Sequence, residues 1–278
     1  MSTQESRYVT VARIAYQLTK RTMRRYSHRN SPHTYTQAQV AACTFMVFYA
    51  DKSYRDGEEL LKASDQIQRV LALSTVPDYS TLCRMYHKLD RRRLLRQLHY
   101  LVNQQRPRED YVALDSTSFS QSQASSYFQT RRGGYLRDWY RGAYAVGTAS
   151  QLILAAESDV GRTLNDVRFL NPLKQQARYA THAQTVFLAD AGFDAHTVDD
   201  HDLIPPIRRG RRLRAPERRA RADLVSQARL DGLYGQRWKV ETVNSVTKRL
   251  FGEAVRSRLR PLKRREPILK AVVYNLHR

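Results

Sequence analysis

The 278-residue chain carries 48 Lys and Arg against 26 Asp and Glu, a formal net charge of +22 with a pI near 10.4. Such a balance calls for a polyanionic partner, and no apolar run approaches the ~18 residues of a bilayer crossing, so nucleic acid is expected and a membrane is not. The length suits one large or two modest domains, and the opening MSTQESRYVTVAR lacks the apolar stretch of a secretory signal, which implies a cytoplasmic, nucleoid-associated protein.

From Tyr35 to about Gln104 the apolar spacing is helical, in TQAQVAACTFMVFYA, YRDGEELLKASDQIQRVLAL and YSTLCRMYHKLDRRRLLRQLHYLVN. Pro77 ends the second stretch, and Asp78 or Ser80 can cap the third by accepting a backbone N–H. Cys43 and Cys83 lie far apart with no metal-binding spacing and read as small buried residues. The short turn before a basic last helix fits a helix-turn-helix DNA reader, as it would any small helical domain. The charged link QQRPRED sets a boundary, with residues 1–105 as a helical DNA-binding or assembly domain and 106–278 as a second domain.

Beyond the link, DYVALDSTSFS, GAYAVGTAS, QLILAAESD and TVFLADAGFD have the length and β-branched content of strands, with a helical stretch near Asn165–Tyr179. Arg208, Arg209, Arg211, Arg212, Arg214, Arg218, Arg219 and Arg221 then fall within 14 residues. Six more basic residues fall in the ten from Arg256 to Arg265. Such density repels itself unless phosphates are near, the alternative being a surface loop with incidental charge.

Tyr234–Leu250, YGQRWKVETVNSVTKRL, has two opposed faces. At about 100° per residue, Tyr234, Arg237, Glu241 and Lys248 lie within roughly 60° of one another, with Val243, Val246 and Leu250 opposite. The helix can pack one side on a core and aim a carboxylate and two cations elsewhere.

Asp115 closes the apolar run VALD, and Asp190 closes VFLAD. An acid at such a place is costly to desolvate unless it is paired or binds a metal. On neighbouring strands the two would project from one sheet edge, where α/β proteins bind ligands, and Glu241 would supply a third carboxylate. Three gathered carboxylates repel strongly and suit divalent cations, and oxygen-only ligation favours Mg²⁺ or Mn²⁺. Two such ions ~4 Å apart support phosphodiester chemistry. Taken singly, Asp115 could cap a turn with STS and Asp190 could begin a loop. Asp194 reads as a turn or cap acid, His182 and His196 as surface or packing residues, and Trp139 and Trp238 as packing residues, with base stacking as an alternative for Trp238.

Together these stretches resemble the insertion-sequence DDE transposases of bacteria and archaea. Tyr234, Arg237, Glu241 and Lys248 match the signature Y-(2)-R-(3)-E-(6)-K in every gap, LDSTSFS and LADAGFD resemble the contexts of the first two acids, and GRTLNDVRFLNPL resembles the segment between them. SYRDGEELL with LALSTVPDYSTLCR resembles the amino-terminal helical region, and VVYNLHR the usual ending. The resemblance implies an α/β fold, a ribonuclease H-like mixed sheet flanked by helices and preceded by an all-α N-terminal domain. It further implies that Asp115, Asp190 and Glu241 hold two Mg²⁺ ions, with Mn²⁺ able to substitute, that Tyr234, Arg237 and Lys248 sit near DNA phosphates, and that the substrates are double-stranded terminal inverted repeats and target DNA. A homodimer on paired ends is the simplest assembly. A purely hydrolytic nuclease and an inactive domesticated DNA-binding copy remain as rival readings. Only 51 positions separate Asp190 from Glu241, too few for a large β-rich insertion, and TRRGGYLRDWYRGAYAV matches the family only loosely.

Overall fold

A computed structural model describes residues 5–30, 32–121, 140–161, 165–208, 210 and 213–278. Trp139, Arg209, Arg211 and Arg212 lie outside the described residues.

The amino-terminal part is helical throughout: α1 (Arg7–Thr22), α2 (Gln37–Tyr49), α3 (Tyr54–Lys62), α4 (Asp65–Val70), α5 (Tyr79–Lys88) and α6 (Arg91–Gln105). Capping chemistry sets the starts. Thr36 and Gln39 form a reciprocal capping box ahead of α2, and the side chains of Ser53, Ser64, Asp78 and Asp90 accept backbone N–H groups at the starts of α3 to α6. Ser64 and Asp90 each divide a stretch that apolar spacing alone reads as one helix. Helix α2 buries 11 of its 13 residues, as expected of a helix that is apolar all round and surrounded by others. Helix α1 was not anticipated, although Val9, Ala12, Ala15 and Leu18 are buried at helical spacing.

Among the described residues five strands follow: β1 (Tyr111–Gln121), β2 (Tyr140–Gly147), β3 (Ile153–Val160), β4 (Val186–Leu188) and β5 (Ala254–Val255). Their order is β3-β2-β1-β4, with β5 beside the far end of β1. The first three are antiparallel, and β4 and β5 run parallel to β1. Helices α7 (Val167–Ala177), α8 (Pro216–Leu230), α9 (Trp238–Phe251) and α10 (Arg260–His277) complete the described chain. This is the expected mixed sheet flanked by helices and preceded by an all-helical region.

Alternation along β1 decides what lies on each side. Val112 and Leu114 join Phe169, Leu170 and Leu173 of α7 in one apolar cluster. Ala113 joins Val240 and Val243 of α9 and Ile268, Leu269 and Val272 of α10 in another. The second cluster also takes in α1, α2, α5 and α6, so one apolar core runs across the link between helices and strands. No helix among the described residues is long and apolar enough to cross a membrane.

Helix α10 also buries two charged side chains that bond to backbone. Glu266 is fully buried and accepts from the backbone N–H groups of Arg256 (2.9 Å) and Ser257 (3.0 Å). Lys270, one turn on, donates to the carbonyls of Gly252 (2.5 Å) and Ala254 (2.9 Å), and burial pulls its pKa down to about 8. Together they hold the chain that leaves α9 against α10.

Gly57 sits where α3 crosses α2. A Cβ there would lie 2.4 Å from Cγ2 and 3.0 Å from Cγ1 of Val47, a β-branched side chain that cannot swing aside. Ala gains up to ~1 kcal/mol of helix propensity over Gly, but overpacking of this kind costs about 1–3 kcal/mol. Gly57→Ala is expected to lower the urea midpoint without changing the slope.

Candidate active site

Asp115 lies inside β1, which continues through the small polar residues after it to Gln121. Its neighbour across the β1–β2 ladder is Tyr144. By the two-residue period, its side chain shares the side of Ala113, toward α9. There Asn244 Nδ2 donates to Asp115 Oδ2 at 2.8 Å. Burial pushes the Asp115 pKa up to about 6, and the nearby Asp190 charge adds to this, whereas the Ser116 N–H, Arg237 and Asn244 oppose it.

The parallel register pairs Ala113 with Leu188. Two residues on along each strand direction come Asp115 and Asp190, so the first two acids stand side by side on adjacent segments. Asp190 starts the short 3-10 turn Ala191–Phe193, accepting from Gly192 N at 2.9 Å. The glycine has a steric reason. A Cβ there would lie 3.0 Å from Asp190 Oδ1 and 3.0 Å from Asp166 Oδ2.

Tyr234 and Arg237 belong to a 3-10 turn, Tyr234–Arg237, that precedes α9, where sequence spacing had suggested one continuous helix. Tyr234 Oη donates to the carbonyl of Ala189 at 2.9 Å and so anchors the residue before Asp190. Arg237 pairs with Glu241 one turn on and is close enough to influence Asp115. The Glu241 side chain is half exposed. Lys248 lies farther along, its ammonium 5.7 Å from the ring centroid of Phe119, four residues beyond Asp115 on β1. The signature helix therefore lies along β1.

Two residues with no role assigned from the sequence belong to this neighbourhood. Asp166 accepts from Ser116 Oγ (2.7 Å) and Arg141 Nη1 (2.7 Å), which sets a fourth carboxylate beside Asp190. Asn244 is the other. Its position three residues after Glu241 puts it on the inner face of α9, and its own Oδ1 is buried without a hydrogen-bond partner.

The Arg-rich stretch is anchored by an acid read from sequence as a turn or cap residue. Asp194 is buried and accepts from Ile207 N (2.8 Å), Arg218 Nη2 (2.5 Å) and Arg221 Nη2. Arg208, Arg214 and Arg219 are exposed. Trp238, expected to pack, is 54% exposed, and Cys83 is only partly buried. His182 hydrogen-bonds Asp110 at 2.9 Å.

Among the described residues, Asp199, His201 and Asp202 are the group whose potential ligand atoms come within 4.8 Å of one another. Lys174 Nζ already fills that cluster, 2.5 Å from both Asp199 Oδ2 and Asp202 Oδ2. Asp115, Asp190 and Glu241 do not all come within that spacing of one another. Each has its own partner instead: the Asn244 amide, the Gly192 N–H and the Arg237 guanidinium. Their donor set fits a hard divalent cation. All the donors are oxygens, Asp115 is desolvated without a countercharge bonded to it, and the buried Asn244 Oδ1 has bonding capacity to spare.

The raised pKa makes a sign-specific prediction. Asp115 ionises near 3.9 in the unfolded chain and near 6 in the fold. Its contribution to stability is therefore complete below about pH 4 and is lost as pH rises through 6. In EDTA, Asp115→Asn should be more stable than the wild type by roughly 1–3 kcal/mol at pH 8. The two should coincide near pH 3.5 in urea unfolding.

A search of curated proteins returns no match to the chain. The transposase DDE domain family does match, over residues 106–276, more than half of the 278 residues and spanning all three acids. With two acids at equivalent positions of adjacent parallel segments and the third on the helix laid along β1, the chain belongs to the transposase DDE domain family.

Proposed function

We propose that this protein is a DNA transposase that binds the terminal inverted repeats of its own element, cleaves there and joins the exposed 3′-hydroxyl ends to target DNA. The observation that carries the reading is the convergence of Asp115, Asp190 and the Arg237–Glu241 pair on one side of β1. When bound, two Mg²⁺ ions, or Mn²⁺, would activate the attacking oxygen and stabilise the leaving one.

The chain's own residues prepare that site. Asn244 orients the Asp115 carboxylate, Tyr234 fixes the strand end that carries Asp190, and Arg237 holds Glu241. Once Glu241 is engaged elsewhere, Arg237 is free to meet a DNA phosphate. Lys248 extends that cationic line along β1. Arg208, Arg209, Arg211, Arg212, Arg214 and Arg219 supply a further phosphate-binding surface. Arg218 and Arg221 are tied to Asp194, four residues after Asp190. The helical region 1–105 contributes to DNA binding and to a homodimer that brings two element ends together.

The test is Mg²⁺-dependent cleavage and joining of a labelled duplex carrying the inverted repeats that flank the gene. Asp190→Ala and Glu241→Gln should each lose at least ~1000-fold in both steps, the scale of a few kcal/mol of charge stabilisation. DNA affinity should change by less than about threefold, because the phosphate contacts that dominate it remain. Near-wild-type cleavage in either variant would remove that residue from the chemistry. Cleavage without joining of a pre-cleaved 3′-hydroxyl end would reduce the activity to hydrolysis.

A further inference from the structure

A cleft of about 920 Å³ opens where α2, α3 and α5 meet the segment between β5 and α10. Its inner wall is aromatic and apolar, built by Phe48, Tyr54, Tyr86 and Leu262. Its rim is cationic, with Lys52, Arg55, Arg84, Arg256 and Arg258. At the mouth Tyr79 is 43% exposed, and the Arg55 guanidinium lies 4.8 Å from its ring centroid. The acids nearby are already satisfied. Glu266 accepts from the Arg256 and Ser257 backbone and from Ser257 Oγ, Asp51 pairs with Arg256 at 3.3 Å, and Glu58 pairs with Lys62 at 2.7 Å.

We propose that this cleft receives an unpaired nucleotide of DNA, its base against the aromatic wall and its phosphates on the basic rim. The inference rests on the DNA reading above and goes beyond it. A paired duplex presents phosphate and sugar outward and cannot reach an apolar floor, whereas an unpaired base offers a π-face that stacks on Tyr without regard to sequence. Place in the chain supports the same occupant. The segment that leaves α9 after Lys248 passes through Gly252 and β5, which pairs with β1 at Ser120 and Gln121, and then supplies Arg256 and Arg258 to the rim. DNA held along α9 would be continuous with the cleft.

Cys83 lines the cleft and is partly exposed, while Cys43 is fully buried with its pKa pushed up to about 12, so one thiol reports on occupancy. The experiment measures Cys83 alkylation in the full chain in EDTA, where no cleavage occurs. The probes are a single-stranded oligonucleotide, a blunt duplex of the same sequence, and that duplex with a short 3′ overhang. The single strand and the overhang should slow alkylation by about tenfold or more, and the blunt duplex should not. Tyr79→Ala, at an exposed ring and checked for an unchanged unfolding midpoint, should weaken the preference for overhang over blunt duplex by about 5- to 150-fold. Tight DNA binding with Cys83 equally reactive overturns the cleft and leaves the transposase reading standing. Equal protection by the blunt duplex overturns the unpaired base. No binding of any of the three probes overturns both readings together.

Discussion

Burial of one carboxylate beside a second is the constraint on which the rest of this structure depends. Asp115 is placed inside a strand, where burial raises its pKa to about 6, and Asp190 stands beside it where β4 ends. No arrangement of the apolar core relieves that cost. It is moderated by small polar contacts specific to each acid, and the third acid is held a little apart by Arg237.

The surrounding structure can be understood as what holds such a site rigid. Parallel pairing of β1 with β4 aligns two of the acids, and Tyr234 fixes the residue after β4 through the Ala189 carbonyl. Helix α9 buries Val240 and Val243 in the core that also contains α10 and the amino-terminal helices, so its polar side has little freedom to drift from β1. The Glu266 and Lys270 contacts then fix where the chain goes after α9. Asp194 performs a similar task for the Arg-rich stretch, pairing with Arg218 and Arg221.

Much of this was legible in the sequence because the relevant signals are local. Alternation and β-branched runs marked all four longer strand segments, and Asp78 was one of two cap candidates after the Pro77 break. The two faces of α9 followed from spacing, but the 3-10 turn Tyr234–Arg237 ahead of it did not. Other features were hidden because they depend on contacts between distant segments. Ser116 and Asp166 meet across 50 positions of chain and Asn244 and Asp115 across 129, so neither partner could be recognised from its own neighbourhood. The pairing of Asp194 with Arg218 and Arg221 was equally invisible, since a run of arginines looks the same whether its charges face phosphate or a buried acid. Helix α1 is a different case. Its buried residues carry a helical period, but β-branched Val9, Thr10, Val11 and Ile14 obscure it.

Asp115, Asp190 and Glu241 are proposed to hold divalent cations together. Mn²⁺ binding followed by electron paramagnetic resonance tests it without DNA or catalysis. Binding is expected at pH 8, weakening as pH falls through 6, and lost when the three acids are replaced by Asn, Asn and Gln. Undiminished binding in that triple variant, abolished instead by changes at Asp199 and Asp202, would contradict it.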